Sequence, residues 1–176
     1  NAKNAETFGV ELDVKKNLDF IGLRGLSFVC NAAYIYSRVR FEEGAPERDR
    51  PLAGQSPYLV NAGFFYQYDD KGISASLLYN RIGKRIESVG VPMQNQDEDI
   101  PDIYEMPRNS LDLTFSKKIG KIVEIKAGIQ DILNSKVEYK QFVKLTDDKG
   151  GKSEREQLIR SYRPGVDINI GVSLRF

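Results

Sequence analysis

The sequence contains no histidine and a single cysteine, Cys30. Histidine is the commonest general base and metal ligand in proteins, so its absence excludes every Ser–His and Cys–His nucleophile pair. One cysteine cannot form an internal disulfide or a cysteine-based zinc site. Cys30 lies in an apolar row, so we expect an inert packing or lipid-facing side chain. We therefore expect neither an enzyme nor a bound cofactor or metal.

Neither sign of charge is in excess, because 26 lysine and arginine residues face 25 aspartate and glutamate residues, for a net charge of +1. Nucleic-acid-binding domains normally carry a basic excess, and we expect no nucleic-acid partner here. The sequence also has no run of about 18 apolar residues, so it predicts no transmembrane helix. Membrane strands escape that test, since they alternate apolar and polar residues.

The clearest pattern is an alternation of apolar and polar residues over the last 11 positions. The apolar positions are Val166, Ile168, Ile170, Val172, Leu174 and Phe176, and those between them are Asp167, Asn169, Gly171, Ser173 and Arg175. A period of two gives a strand one apolar and one polar face. A tilted strand needs about 9–11 residues to cross a bilayer, whereas strands in soluble domains average about 5–6.

Similar alternation predicts six further strands upstream. Their alternating cores span residues 8–14, 26–36, 58–68, 73–79, 111–115 and 123–129. Short connections at 15–25, 68–72 and 117–121 alternate with long, charged ones at 41–56, 83–104 and 135–162. Outer-membrane barrels have short periplasmic turns and long external loops. The sequence thus predicts an all-β, antiparallel, up-and-down transmembrane β-barrel segment of about seven strands.

Hairpin registers follow from matching apolar positions across each turn. Around 69–72, Phe64 is expected opposite Leu77 and Tyr66 opposite Ala75. Around Ile119, a symmetric turn pairs Leu113 with Ile125 and Phe115 with Val123. That register also sets Asp112 against Lys126, which is a favourable cross-strand charge pair.

Strand length and aromatic residues near the strand ends favour an apolar face that points to lipid and a polar face that lines a wet lumen. The residues expected to face lipid are Val166, Ile168, Ile170, Val172, Leu111, Leu113, Phe115, Val123, Ile125, Phe64 and Tyr66. Those expected to face the lumen are Asp112, Lys126, Asp167 and Asn169. A soluble all-β binding domain with an inward apolar face is the alternative, since charged residues can equally line its outer surface.

The final segment GVSLRF at 171–176 is similar to the terminal signal of outer-membrane barrels, with Gly171, Leu174 and Phe176 at the matching positions. In proteins with this signal, the segment is read by the barrel-assembly machinery. The resemblance implies that machinery as a partner, with outer-membrane lipid around the wall. It also implies a place in the outer membrane of a Gram-negative bacterium.

More of the chain resembles the C-terminal barrel of TonB-dependent receptors. The segments that carry the resemblance are FGVELDV at 8–14, KNL at 16–18, LAGQSPYLVN at 52–61, LYNRIG at 78–83, MPRNSLD at 106–112, GIQDILN at 128–134 and YRPG at 162–165. The resemblance implies a barrel of about 22 strands around an N-terminal plug. Residues 1–176 would be its C-terminal part, without the plug and without the segment that contacts TonB. A surface lipoprotein lid is a further possible partner in that family.

Function stays open between three hypotheses: energy-coupled import of a large or scarce solute, a passive porin or adhesion barrel, and a soluble binding domain. Loop residues that could contact a ligand are Tyr104, Arg85, Lys84 and Arg48, with an ordinary extracellular loop as the alternative, so the ligand-binding residues stay unknown. The acidic run 97–99 with Asp102 has calcium-binding chemistry but lacks calcium-loop spacing, and a solvated loop is favoured, as it is at 147–151. The row Glu11, Asp13, Asp112, Glu124 and Lys126 is interpreted as a lumen ladder, because no nucleophile or oxyanion hole accompanies it.

Overall fold

The structure is a computed structural model that describes residues 2–93, 99–146 and 151–175. Its strands are β1 (Ala2–Asn17), β2 (Leu26–Phe41), β3 (Tyr58–Tyr68), β4 (Ile73–Ile82), β5 (Arg85–Ser88), β6 (Ile103–Glu105), β7 (Arg108–Ile119), β8 (Val123–Gln130), β9 (Val137–Thr146), β10 (Lys152–Tyr162) and β11 (Asp167–Leu174). Two short 3-10 turns, Asp19–Ile21 and Asp69–Lys71, close hairpins. Within these described residues, no helix is long and apolar enough to span a bilayer.

Seven strands form one antiparallel sheet in the order β1-β2-β3-β4-β7-β8-β11. They are the seven strands that the alternation predicts, so the all-β antiparallel prediction is confirmed. At one end of the strands, here called the tight-turn edge, lie the turns at 18–25, 69–72 and 120–122 and the end of β11. The opposite, long-connection edge carries residues 42–57, 83–107 and 131–166. The sheet is open, with β1 and β11 each paired on one side among the described strands.

The charged composition of the long connections suggested irregular loops, but two of the three contain strands. These strands form a second antiparallel sheet in the order β10-β9-β6-β5. Along the chain, β4 leads into β5, β6 into β7, β8 into β9 and β10 into β11. Four strands of the first sheet are therefore each followed or preceded, after a short break, by a strand of the second sheet in the same order. Sequence alternation missed these strands because β5 and β6 have four and three residues and β10 is mostly polar.

The register prediction is right for one hairpin and wrong for the other. Phe64 pairs with Leu77 and Tyr66 with Ala75, as expected. In the β7–β8 hairpin Leu113 pairs with Ile129 and Phe115 with Ala127. The centre of the turn lies two residues later than predicted, at Lys121, and the turn begins at Gly120, whose φ of +61° suits glycine. The partner of each residue differs from the prediction by four positions, an even number, so each side chain stays on its predicted face. The predicted pair of Asp112 with Lys126 does not form, because Lys126 pairs with Ser116.

Little of the molecule is fully buried. Among the described residues, the buried apolar side chains are Val39, Ile86, Val137 and Tyr139, all toward the long-connection edge. Ile86, at 2% exposure, is the most enclosed of them. The seven-stranded sheet therefore has no core of its own on either face, and both faces are available to whatever surrounds them.

Candidate functional site

Most of the apolar side chains of the large sheet share one face, although a few, such as Phe65 and Leu78, lie on the other. Cross-strand partners in an antiparallel sheet point to the same side, so the pairing fixes this geometry. One apolar row crosses six strands through Phe28, Phe64, Leu77, Leu113, Ile129 and Ile168. The next row crosses five through Tyr66, Ala75, Phe115, Ala127 and Ile170. All of the predicted lipid-facing residues lie on this apolar face except Val166, which immediately precedes β11.

The apolar face is uncovered. Val10 in β1 is 74% exposed and Ile170 in β11 is 77% exposed. In the central strands Phe64 and Phe115 are each still 44% exposed, although both have neighbours on two sides. No described element packs on these residues. Soluble proteins rarely leave a contiguous apolar surface of this extent open to water.

The opposite face carries polar side chains that bond to one another across strands. The Asn31 amide donates to Glu11 at 2.7 Å and to Asp13 at 2.8 Å. Asn80 donates to Asn61 at 2.6 Å. The predicted lumen-facing residues Asp112, Lys126, Asp167 and Asn169 lie on this face. The polar pairing continues between neighbouring central strands, at Ser74–Ser116 (2.8 Å) and Ser76–Thr114 (2.7 Å).

A polar junction lies where the two sheets meet. Arg108, which begins β7, forms an ion pair with Asp131, which follows β8. The Asp131 backbone N–H donates to the Asp112 carboxylate at 2.8 Å. Asn134 accepts from the Arg163 guanidinium at 2.7 Å through its carbonyl oxygen. Asp131 and Asn134 have φ of +52° and +43°, which aspartate and asparagine tolerate better than most residues.

Three segments meet at this junction: 106–112, 128–134 and 162–165. The alternation of residues does not predict the roles of Arg108 and Asp131. The sequence does carry a signal for the turn itself: an Asp and an Asn three residues apart, directly after an alternating strand, favour left-handed turn positions. What the sequence could not show was that the arginine partner would come from the neighbouring strand.

The long connections enclose a cleft of about 450 Å³. Residues 47–51, the connection between β5 and β6, and β9 supply most of its lining. Three of the four loop residues considered as ligand contacts, Tyr104, Lys84 and Arg48, line this cleft. The fourth, Arg85, lies outside it and forms an ion pair with Glu105 at 2.7 Å.

Lysine and aromatic side chains meet in the cleft. The Lys84 ammonium lies 4.4 Å from the Tyr104 ring centre and 4.3 Å from that of Phe142, which are cation–π distances. The two rings meet edge to face at 5.7 Å. Burial raises the pKa of the Tyr104 phenol above its ordinary value, with a further contribution from the Asp102 carboxylate. The cleft thus offers ring faces, several basic side chains and a phenol that stays protonated at neutral pH.

The acidic residues considered for calcium do not form a cation site in the described part of the chain. Asp97, Glu98 and the run at 147–150 lie outside the described residues. Asp99 forms an ion pair with Arg48, and Asp102 accepts the Gly90 N–H at 2.8 Å. Across the described ranges, no three histidine, cysteine, aspartate or glutamate side chains are grouped to hold a metal. Cys30 is a half-buried free thiol on the apolar face.

No protein-family model matches the chain, and no curated protein sequence or solved structure matches it either. The features available for inferring function are therefore the two unlike faces of the sheet, the junction and the cleft.

Proposed function

We propose that this chain is a wall segment of a β-barrel in the outer membrane of a Gram-negative bacterium. The apolar face lies against lipid, and the polar face lines a water-filled lumen. The observation that carries the proposal is the uncovered apolar face across seven strands, opposite a face of polar side chains that bond to one another. Exposed apolar side chains are stable in hydrocarbon and costly in water, at about 25 cal/mol per Å².

The two free edges of the sheet support membership of a larger barrel. β1 has 16 residues and β11 has eight, and each leaves one side unpaired among the described strands. Unpaired strand edges are costly in a bilayer, where no water satisfies the backbone. We propose that further strands of the same protein close the wall, in a barrel of about 22 strands.

The polar junction supports a barrel of the TonB-dependent receptor kind. The three family-like segments that meet there hold the base of the second sheet through Arg108, Asp131 and Asn134. We infer import of a large or scarce solute, with a plug and a TonB contact supplied by other parts of the protein. The cleft around Lys84 and Tyr104 is the proposed solute contact at the outer mouth.

The end of β11 supports a role in assembly. Gly171 and Leu174 are both exposed on β11, Gly171 on the polar face and Leu174 on the apolar face. Phe176, the third residue of the signal, lies outside the described residues. We propose that the barrel-assembly machinery reads this strand along its free edge, where the backbone groups remain available for pairing.

Spin labels on four successive residues of β7 test the proposal. In a Cys30→Ser background, a nitroxide is placed in turn at Leu113, Thr114, Phe115 and Ser116 of the whole protein in liposomes. We expect oxygen, which concentrates in lipid, to relax the labels at 113 and 115. A water-soluble nickel chelate should relax those at 114 and 116, because side chains alternate between faces. Nickel access at all four positions, or access of neither reagent at 113 and 115, would refute the membrane wall.

Energy dependence separates the receptor from a passive porin or an adhesion barrel. All three barrels would give the same label pattern. Solute uptake that stops when TonB is removed, with the protein still inserted, supports the receptor. Uptake that continues at the same rate, or no uptake of any solute, would assign the wall to one of the other two classes.

A further inference from the structure

The tight-turn edge of the large sheet is basic. Residues 15–25, 67–73, 116–124 and 173–175 contain eight basic and four acidic side chains. The basic ones are Lys15, Lys16, Arg24, Lys71, Lys117, Lys118, Lys121 and Arg175, and the acidic ones are Asp19, Asp69, Asp70 and Glu124. The whole sequence has a net charge of only +1, so this edge is more positive than the rest of the chain.

Three of these lysines border the apolar face, and we call them the lysine rim: Lys16, Lys71 and Lys117. The Lys16 ammonium lies 5.4 Å from the Phe20 ring centre, and that of Lys71 lies 5.6 Å from the Tyr68 ring centre. Lys117 pairs with Ile73 and Ile125 of the apolar face, and its ammonium donates to the Lys71 carbonyl oxygen. Each rim lysine therefore lies beside apolar or aromatic residues.

The rim lysines differ from the arginines near the opposite edge. Arg38 pairs with Asp49 at 3.0 Å, Arg40 with Glu6 at 2.8 Å, and Arg108 with Asp131. No described carboxylate oxygen lies within ion-pair distance, 4.0 Å, of a rim lysine. Two of the acidic side chains nearby have other hydrogen-bond partners: Asp19 accepts from the Gly25 N–H, and Asp69 accepts from the Gln67 amide.

The turns themselves expose apolar side chains at this edge. Phe20, in the first turn, is 70% exposed, and Ile122, in the third, is 56% exposed. Ile21 and Leu23 are exposed as well. Turns that project into bulk water normally carry polar residues, so this composition fits turns seated at the boundary between hydrocarbon and headgroups.

We propose that the lysine rim binds the phosphate groups of anionic phospholipids in the leaflet that the tight-turn edge meets. Lysine stems can lie along apolar surface while their ammonium groups reach the headgroup region. An anionic leaflet would supply the negative partners that the described chain does not, and each lysine near such a surface adds to the attraction. This inference rests on the proposed membrane wall.

Adjacent lysines on opposite faces provide a matched test. Lys16→Gln with Lys117→Gln removes two rim charges. Lys15→Gln with Lys118→Gln removes the same charge from the adjacent residues of the same strands, which lie on the polar face. The whole protein is placed in phosphatidylcholine vesicles with spin-labelled phosphatidylglycerol or spin-labelled phosphatidylcholine. The motionally restricted fraction of each labelled lipid gives its relative affinity for the protein surface.

We expect a phosphatidylglycerol preference at low salt that the rim variant lowers about threefold and the polar-face variant leaves unchanged. High salt should reduce the preference through screening. Equal losses in both variants, or none in either, would overturn the lysine rim. A preference that inorganic phosphate removes at matched ionic strength would also overturn it, in favour of a general anion site. A wild-type protein that restricts neither lipid would instead refute the membrane wall itself.

Discussion

Asp49 holds the connection between β2 and β3 against the end of β2. Its carboxylate accepts the Phe41 N–H at 3.2 Å and pairs with Arg38 at 3.0 Å. The hydrogen bond from the Phe41 N–H, followed by the Arg38 guanidinium, lowers the pKa of Asp49 below its ordinary value of 3.8. A lowered pKa stabilises this contact above the unfolded-state value, and the stabilisation is lost as pH falls through the folded-state value.

We therefore expect the Phe41 amide to lose protection from hydrogen exchange below about pH 4. The measurement is the protection factor, which corrects for the intrinsic rate at each pH. Asp49→Asn retains an acceptor oxygen but not the charge, so its protection should be lower at neutral pH and flat with pH. Glu47→Gln, in the same connection, is the control and should follow the wild type. A wild-type protection factor that stays constant to about pH 3 would contradict the assigned role of Asp49.

At the residue scale, alternation along the sequence predicts the face of a side chain better than its partner. The face of Asp112 followed from the period of two, and it lies on the polar face as predicted. Its partner did not follow, because it bonds to the backbone N–H of Asp131 and not to Lys126. Tyr104, Lys84 and Arg48 were singled out as loop residues, yet only the folded second sheet brings them to one cleft.

At the element scale, the sequence predicts long strands that alternate between apolar and polar residues, but it does not predict short or charged strands. β3 was predicted to its ends because six apolar residues alternate without interruption from Tyr58 to Tyr68. β9 carried a weaker signal, in Val137, Tyr139 and Val143. β10 carried almost none, because its pairing with β9 relies on backbone bonds and charged contacts such as Lys140 with Glu156 at 2.7 Å.

The β7–β8 turn determines the register that the sequence did not predict. Gly120 has a φ of +61°, and a side chain there would meet no atom within 4 Å, so conformation alone decides which residue fits. We expect Gly120→Val to lower the free energy of unfolding by about 1–2 kcal/mol, because a β-branched residue resists the left-handed region. Gly120→Asn should lower it by less, since asparagine tolerates that region.

Denaturant titration of the whole protein in detergent micelles measures these differences. Lys121→Val is the matched control, because it places the same side chain in the same turn at a residue whose φ is not positive. Valine effects of equal size at 120 and 121 would show that the turn does not depend on the Gly120 backbone. The register of the hairpin would then need another cause.

At the scale of the whole molecule, the two faces of the sheet place opposite demands on a charged side chain. Ile170 and Asn169 are neighbours near the middle of β11, both exposed, and they point to opposite faces. In water, arginine at either position would cost little, because neither side chain is packed in a core. In the proposed wall only position 170 faces hydrocarbon, where arginine near the bilayer midplane costs about 2–4 kcal/mol.

We expect Ile170→Arg to lower the free energy of unfolding in lipid bilayers by about that amount and to reduce the inserted fraction in cells, whereas Asn169→Arg should change it by at most about 1 kcal/mol. The measurement is chemical unfolding from liposomes, with the same two variants compared in detergent micelles. Both variants add the same charge to the same strand, so a difference between them reports the surroundings of the face. If Asn169→Arg costs as much as Ile170→Arg, hydrocarbon does not lie on the apolar face alone and the membrane wall is wrong. If the two costs differ as expected in liposomes and the difference shrinks in the softer micelle, the bilayer covers the rows that run from Phe28 to Ile168 and from Tyr66 to Ile170.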